Sequence, residues 1–425
     1  SKSVRYDGES VLQRTNLPAE TQDNGGLANI DDFDQEVSRE TAGWSALLNL
    51  SYKLNKNNRI SLLFMPNFRG QNNARSYTGR REDIAEISFG DDNLYEERQQ
   101  LVYQLETERY LPKTEMKVSV NMSYTDGQRN VLDFKDLRYL YDPVVEDFLF
   151  NSTFRPDRRY RYMFEDLFDS RVSAEIPILK KRDRATKLIF GGAYQYNTRE
   201  NQQVVYTLQG INEEDLLGGF DQVFDNDRFS IVDSTAFDLY YTNTSTFDDS
   251  DLGFKTVVAG FAKFDYHLNA LWRFVGGVRM EHTDILVDIK ELYENNYPID
   301  APERFNGNGQ NLNPGEIRQV NFLPSLNVIY KIADDDAKQI NLRLNYSKSL
   351  ARPGFREMSA LSQFDYELRA RVRGNTDLKM TDINNYDFRL ESYFKGGRNL
   401  SVSFFYKDFK NHIELIQAEG GEFTW

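Results

Sequence analysis

Cysteine is absent from all 425 residues, and with it go disulfides, thiolate metal sites and cysteine nucleophiles. Histidine is almost as scarce. His267, His282 and His412 are the whole complement, which leaves little room for a histidine-built metal or catalytic centre. With a mean hydropathy of -0.65 and 28% charged residues, the chain has nothing like the ~18 consecutive apolar residues that a membrane-crossing helix needs. Positive charge is in deficit, 52 Lys and Arg against 66 Asp and Glu for a net charge of -14. That balance disfavours a nucleic-acid partner, whose phosphates call for a basic surface. Ser1 and Lys2 open the chain without an initiator Met, an apolar core or a cleavage site, so any export signal is expected outside this stretch and both ends read as cut ends. Disorder is excluded as well, because 14% of the residues are aromatic and only 11 are proline.

What the sequence does have is two-residue alternation, repeated in segments of about ten to fourteen residues, the length a tilted strand needs to cross a bilayer. From Trp272, one face carries Trp272, Phe274, Gly276, Val278 and Met280, and the other Arg273, Val275, Gly277, Arg279 and Glu281. Val258, Ala262, Phe264, Tyr266 and Leu268 oppose Lys263, Asp265 and His267 in the same way, and Ile340, Leu342, Leu344 and Tyr346 oppose Asn341, Arg343, Asn345 and Ser347. The stretches 386–394 and 400–406 repeat the pattern, with Asp387, Arg389 and Glu391 on the polar face of the first. In the earlier half it recurs at Trp44 to Tyr52, Ile60 to Phe68, Met116 to Tyr124 and Leu188 to Tyr196. Weaker segments cover 101–110, 164–178 and 320–332. Roughly a dozen strands are expected. A polar average is compatible with lipid here, because only alternate residues of such a strand face the bilayer.

Short connections at 55–58, 111–114, 179–186, 269–270, 333–337 and 396–398 alternate with long ones at 70–96, 126–160, 199–254, 283–316 and 350–382. A soluble sandwich also alternates its strands but has no reason to put every long loop at one end. The expected fold is therefore an all-β, antiparallel transmembrane barrel with short periplasmic turns and long extracellular loops. Its oily side chains should face lipid, and its charges, such as Arg273, Arg279, Glu281, Lys263, Asp265, Arg343, Arg389 and Glu391, should line the inside and pair there. Tyr52, Tyr196, Tyr330, Tyr346, Phe394 and Tyr406 lie near strand ends, where interfacial aromatics belong.

The run from Asn321 is more specific: NFLPSLNVIYKI, NLRLNYSKSLARPGFREMSAL from Asn341, GNTDLKMTDINNYDFRLESYF from Gly374 and LSVSFFYKDFKNHIELI from Leu400. It resembles the barrel of TonB-dependent receptors, especially those of the Bacteroidota, and FEDLFDSRVSAEIPI from Phe164 and KLIFGGAYQYNTRE from Lys187 are similar more weakly. The resemblance implies an outer-membrane barrel of roughly 22 strands around a plug, with energised uptake of a large nutrient such as a siderophore, glycan or peptide. It also implies contact with the TonB complex through an N-terminal region. By that measure residues 1–425 are expected to be a partial barrel, with the plug, the TonB box and the aromatic-ended last strand outside this chain. No catalytic or cofactor-binding residue carries over, and ligand-binding residues stay unassigned. Two other readings remain open. One is a non-transporting barrel subunit that meets a surface lipoprotein or other outer-membrane partners. The other is a barrel hydrolase using His282 or His412 near strand ends.

Several local features suggest sites. Arg352-Pro353 should mark where a strand leaves the sheet, since proline cannot donate to a ladder, and Gly374-Asn375 suits a tight turn before the next strand. Residues 200–254 hold twelve acidic residues against one basic residue, Arg228, together with nine Phe and Tyr. Such a loop suits a cationic ligand, a partner lid or calcium, or else a hydrated loop with its own small packed cluster. Asp225, Asp227, Asp248, Asp249 and Asp251 are the weak calcium candidates, without the spacing of an EF-hand. Residues 155–161, with Arg158, Arg159 and Arg161, suit lipopolysaccharide phosphates or plain solvation. Asp334, Asp335 and Asp336 read as a solvated turn.

Overall fold

Strands that alternate oily and charged side chains satisfy their backbones only by pairing on both edges, and all but the first and last strands of this chain's main sheet do so, in one continuous up-and-down meander. The computed structural model describes residues 2–14, 28–81, 84–142, 144, 146–150, 156–181, 184–209, 220, 223–224, 240–305, 311–335, 338–366, 368, 370–417 and 423–425. The first strands are β1 (Lys2–Arg14), β2 (Ala28–Ser45), β3 (Leu48–Asn55), β4 (Asn58–Arg81), β5 (Ile84–Leu111), β6 (Met116–Asp142) and β7 (Asp147–Phe150). Then come β8 (Asp157–Lys181), β9 (Arg184–Gln209), β10 (Tyr240–Asn243), β11 (Ser250–His267), β12 (Trp272–Ile289), β13 (Gly315–Asp334) and β14 (Lys338–Ala351). The last are β15 (Ser362–Asp365), β16 (Ala370–Arg373), β17 (Thr381–Phe394), β18 (Arg398–Lys410), β19 (Ile416–Gln417) and β20 (Phe423–Thr424). Two short helices, α1 (Lys290–Glu294) and α2 (Phe355–Met358), lie in connections.

The main sheet follows the order β1-β2-β4-β5-β6-β8-β9-β11-β12-β13-β14-β17-β18, each neighbour antiparallel. β3 continues β2 along the same edge of β4 after a break at Ala46 and Leu47. That makes 13 crossings on the path, close to the dozen expected from alternation. β1 is the strand that periodicity does not reveal. Its alternation is mostly polar on both faces, and it is a strand because it pairs with β2 from Lys2↔Thr41 onward.

The short connections expected from the sequence fall at one end. Asn55 Oδ1 accepts from the Asn57 N–H and from Asn58 Nδ2, both at 2.9 Å. Asn269 Oδ1 accepts from the N–H groups of Leu271 and Trp272, also at 2.9 Å. Gly396 and Gly397 take φ of 85° and 77°, the paired left-handed conformation that a tight hairpin turn requires.

At the opposite end the expected bounds of three long connections need correcting, while those between β12 and β13 and between β14 and β17 are long as expected. Residues 70–96 are a hairpin: β4 has 24 residues and β5 has 28, and their ladder runs from Asn58↔Arg109 to Arg81↔Ile84. At ~3.3 Å per residue a 28-residue strand is about 90 Å long, against a hydrocarbon core of ~30 Å. The strands therefore continue well beyond the bilayer. Of 126–160, residues 126–142 belong to β6, 147–150 to β7 and 157–160 to β8, and of 199–254, residues 199–209 belong to β9, 240–243 to β10 and 250–254 to β11. Alternation gives no warning of this, because above the lipid neither face has to be apolar while backbone pairing is just as favourable.

The two faces divide as expected. On β12, Val278 and Met280 are 47% and 48% exposed on the outer side, while Glu281 and Thr283 on the other side are 7% and 0% exposed. Val320 and Phe322 on β13 and Leu400, Val402 and Phe404 on β18 extend the outer apolar band. Val278→Arg is expected to destabilise the barrel by about 2–4 kcal/mol if it sits near the bilayer midplane. Ser325→Arg, opposite Gly277 on the inner face, should be far milder. Denaturant unfolding in lipid vesicles checks the pair, and equal losses at both positions would contradict the assignment of faces.

Candidate functional site on the concave face

The connection between β14 and β17 folds inward across the sheet. β14 ends at Ala351, just before Arg352-Pro353, as the missing proline donor demands. α2 follows, its start capped by the Gly354 N–H donating to Glu357 Oε2 at 2.8 Å. Phe355, Met358 and Met380 pack with Ile285, Val287 and Ile317 on the inner faces of β12 and β13. A few residues on, Tyr366 and Phe364 pack with Leu94, Val131 and Phe134 of β5 and β6. Strands so far apart on the path can meet one short segment only if the sheet curls, so these contacts show the curvature of a barrel wall.

Polar contacts tie the same segment down. Arg352 bonds Glu281, and its Nε donates to Thr283 Oγ1 at 3.3 Å. Arg161 Nη2 donates to the Phe364 carbonyl at 3.0 Å and to Gln203 Oε1 at 2.7 Å. The Arg199 and Lys255 cations lie 5.3 and 5.6 Å from the Phe355 ring centre. Gly374, expected only as turn punctuation, has a stricter role. A Cβ there would stand 2.2 Å from the Ser359 carbonyl oxygen and 2.6 Å from that of Arg356, so two backbones touch at this point.

A second connection, 290–314, packs beside the first: Leu292 and Leu312 join Ile289, Ala360 and Leu361. Its anchor is Arg304, whose guanidinium grips Asp288 through two bonds of 2.9 and 3.0 Å and also reaches the carbonyls of Tyr297, Pro298 and Leu312. Both side chains are buried, 4% and 5% exposed.

The inner wall carries the expected charges, organised around single carboxylates that each hold two arginines. Glu96 takes Arg98 and Arg129, Glu281 takes Arg279 and Arg352, and Glu391 takes Arg343 and Arg389. Lower down, Arg273 binds Asp265 through bonds of 2.8 and 2.6 Å.

Other sequence-level candidates are dispersed. Asp225 and Asp227 lie outside the described residues, as does the side chain of Asp248. The Asp249 carboxylate accepts from Thr246 and Gln203, and that of Asp251 from Arg199. Among the described residues no group of three or more His, Asp or Glu could hold a metal. Of the acidic stretch, Val223 and Phe224 are described, packed on Leu137, Tyr139 and Leu208 at the strand tops. There burial and the Asp91 carboxylate push the Tyr139 hydroxyl up to about 12. The arginine run of 155–161 does not act as one patch, because strand alternation splits it. Arg158 faces outward and is held by Asp133 through bonds of 2.7 and 3.0 Å, whereas Arg159 and Arg161 face inward against Phe364 and Tyr366. Arg155 lies outside the described residues. In the turn 334–338, Asp334 binds Lys331 and Asp335 accepts the Lys338 N–H. His282, among outward residues of β12, and His412, beside Glu414 beyond β18, are separated by β13, β14 and β17. The structure does not bring them together.

Residues 3–424 match the family described as TonB dependent receptor-like, beta-barrel. A comparison with curated protein sequences finds no match. Among solved structures, the alcaligin outer membrane receptor FauA from Bordetella pertussis aligns at 11% identity over 91% of this chain and 51% of that one, with a TM-score of 0.43. The ferric-catecholate import receptor Fiu from E. coli K12 aligns at 10% identity over 92% and 60%, with a TM-score of 0.47. The siderophore receptor PiuA from Acinetobacter baumannii aligns at 8% identity over 99% and 59%, with a TM-score of 0.44. The chain thus spans between about half and three-fifths of the length of these proteins.

Removing one partner of a buried ion pair leaves the other uncompensated, at a cost of ~3–5 kcal/mol. Arg304→Ala is accordingly expected to open the 290–314 connection to protease while the membrane-embedded sheet stays folded. Limited proteolysis with mass mapping reads this directly, and an unchanged cleavage pattern would refute the anchoring role of Arg304.

Proposed function

The chain belongs to the TonB-dependent receptor β-barrel family, and from that premise we propose that it forms part of an outer-membrane importer driven through TonB, carrying a large nutrient such as a siderophore, glycan or peptide. The observation that carries this reading is a family match over nearly the whole chain, on a sheet that is oily outside and charged inside. Membership places the chain in the outer membrane and among transporters and receptors, not enzymes. An outward apolar band fixes the sheet in lipid, while the paired charges and inward-folded segments give the concave face the polar, crowded character of a selective passage. The run from Asn321 to Ile416 favours a receptor of the Bacteroidota type. A TonB complex reached through a region beyond these residues would supply the energy, and lipopolysaccharide would surround the outward face near Arg158.

The test uses cells carrying or lacking the receptor, each with and without TonB, offered labelled ferric siderophores, oligosaccharides and peptides. One class of solute is expected to accumulate only when both receptor and TonB are present. Receptor-dependent accumulation that persists without TonB would overturn the reading. A role as a non-transporting subunit predicts instead that no solute depends on the receptor at all.

A further inference from the structure

We propose that the arginines on the inner faces of β6 and β8, closed over by residues 356–366, form a binding site for an oxyanion borne by a solute: a carboxylate, sulfate or phosphate group. That this solute is the cargo rests on the transport reading above; the site itself does not.

Positive charge is in excess here. Arg129 shares the Glu96 carboxylate with Arg98. Arg159 binds Asp157 and Arg356 binds Asp365, each at 2.7 Å. Arg161 donates only to neutral acceptors, the Gln203 amide oxygen and the Phe364 carbonyl. Five guanidinium groups therefore share three carboxylates. Arg161 lies above Phe164, where the outward apolar band of β8 ends. Burial pushes its pKa down, Tyr366 opposes that shift, and the neighbouring cations Arg356, Arg129 and Arg159 add to it.

The donors are also unfilled. Arg159 Nε, Arg161 Nε, Arg356 Nε and Nη2, the Gln363 amide nitrogen and the Tyr366 hydroxyl are all buried without a hydrogen-bond partner among the described residues. Gln363 and Tyr366 are each only 7% exposed. Buried donors are normally paired, and leaving charged ones empty is among the costlier defects a fold can carry. Here they gather on one four-residue segment. Arg161 lies 4.9 Å from the Tyr366 ring centre, Arg159 lies 4.8 Å from that of Phe364, and Arg356 is tied to Asp365 between them. The rings hold the guanidinium planes in place without taking up these N–H groups, which stay open to an anion.

The test is equilibrium dialysis of the receptor, purified in detergent, against labelled inorganic phosphate and labelled citrate at low ionic strength. Saturable binding of at least one probe, near one per chain, is expected. Arg161→Gln should weaken it by about tenfold or more, as befits a lost charge-assisted bond. Tyr366→Phe removes a single oxygen and leaves the packing intact, so a smaller but measurable loss there guards against misfolding as the cause. Arg398→Gln, at an exposed turn of the opposite end, should bind like the parent. Absence of saturable binding by both probes would overturn the proposal, and so would binding that survives both Arg161→Gln and Arg356→Gln. Because purified protein is measured, the result is independent of whether uptake requires TonB.

Discussion

Backbone pairing in lipid is the constraint from which the rest of this structure follows. An amide left unpaired in hydrocarbon costs several kcal/mol, so each crossing segment must be hydrogen-bonded along its whole lipid-facing length. The antiparallel meander meets this demand for every strand between its first and last, with tight turns at one end and extended hairpins among the connections at the other. Once a ladder has been built through the bilayer, extending it costs little, which is why β4, β5, β6, β8 and β9 run on for 24 to 28 residues. β14, β17 and β18 stop at 13 or 14. The wall is therefore uneven in height, taller where the hairpins continue and lower where the β14–β17 connection turns inward.

Curling the sheet creates an interior, and the interior is filled by two different kinds of interaction. Apolar contacts of Phe355, Met358, Phe364 and Tyr366 with the upper inner wall hold the inward segment in place. Charged groups elsewhere on the wall are held in carboxylate-centred groups of two arginines. Burial of such groups is tolerable only when their partners are close and well oriented, as at Asp288 and Arg304. Arg161, held by an amide oxygen and a backbone carbonyl, does not meet that condition, and that sets it apart from the structural ion pairs nearby.

Legibility in the sequence varied with how strongly lipid constrained each region. On β11, β12, β14 and β17 alternation identified strand, face and turn together, because an oily outward residue at every second position is required there. On β1 and on the upper halves of β4 and β5 the same periodicity is lost, since water accepts polar side chains on either face. The inward segment left one readable trace: a connection holding Phe355, Met358, Leu361, Phe364 and Tyr366 has more apolar surface than a solvated loop needs. The pairing of those residues with β6 on one side and β12 on the other involves separations of some two hundred residues and less, and no local pattern encodes it.

The amino-acid order alone determined that this chain makes an antiparallel lipid-facing sheet, which residues turn outward on its central strands, and where the short turns fall. Those properties depend on neighbours two residues apart. Only the tertiary structure decided that Arg159 and Arg161 meet Phe364 and Tyr366, that Gly374 marks a contact between two backbones, and that the β14–β17 connection lies within the curved wall. Each of these depends on where distant segments meet, and that is fixed by the curvature of the whole sheet.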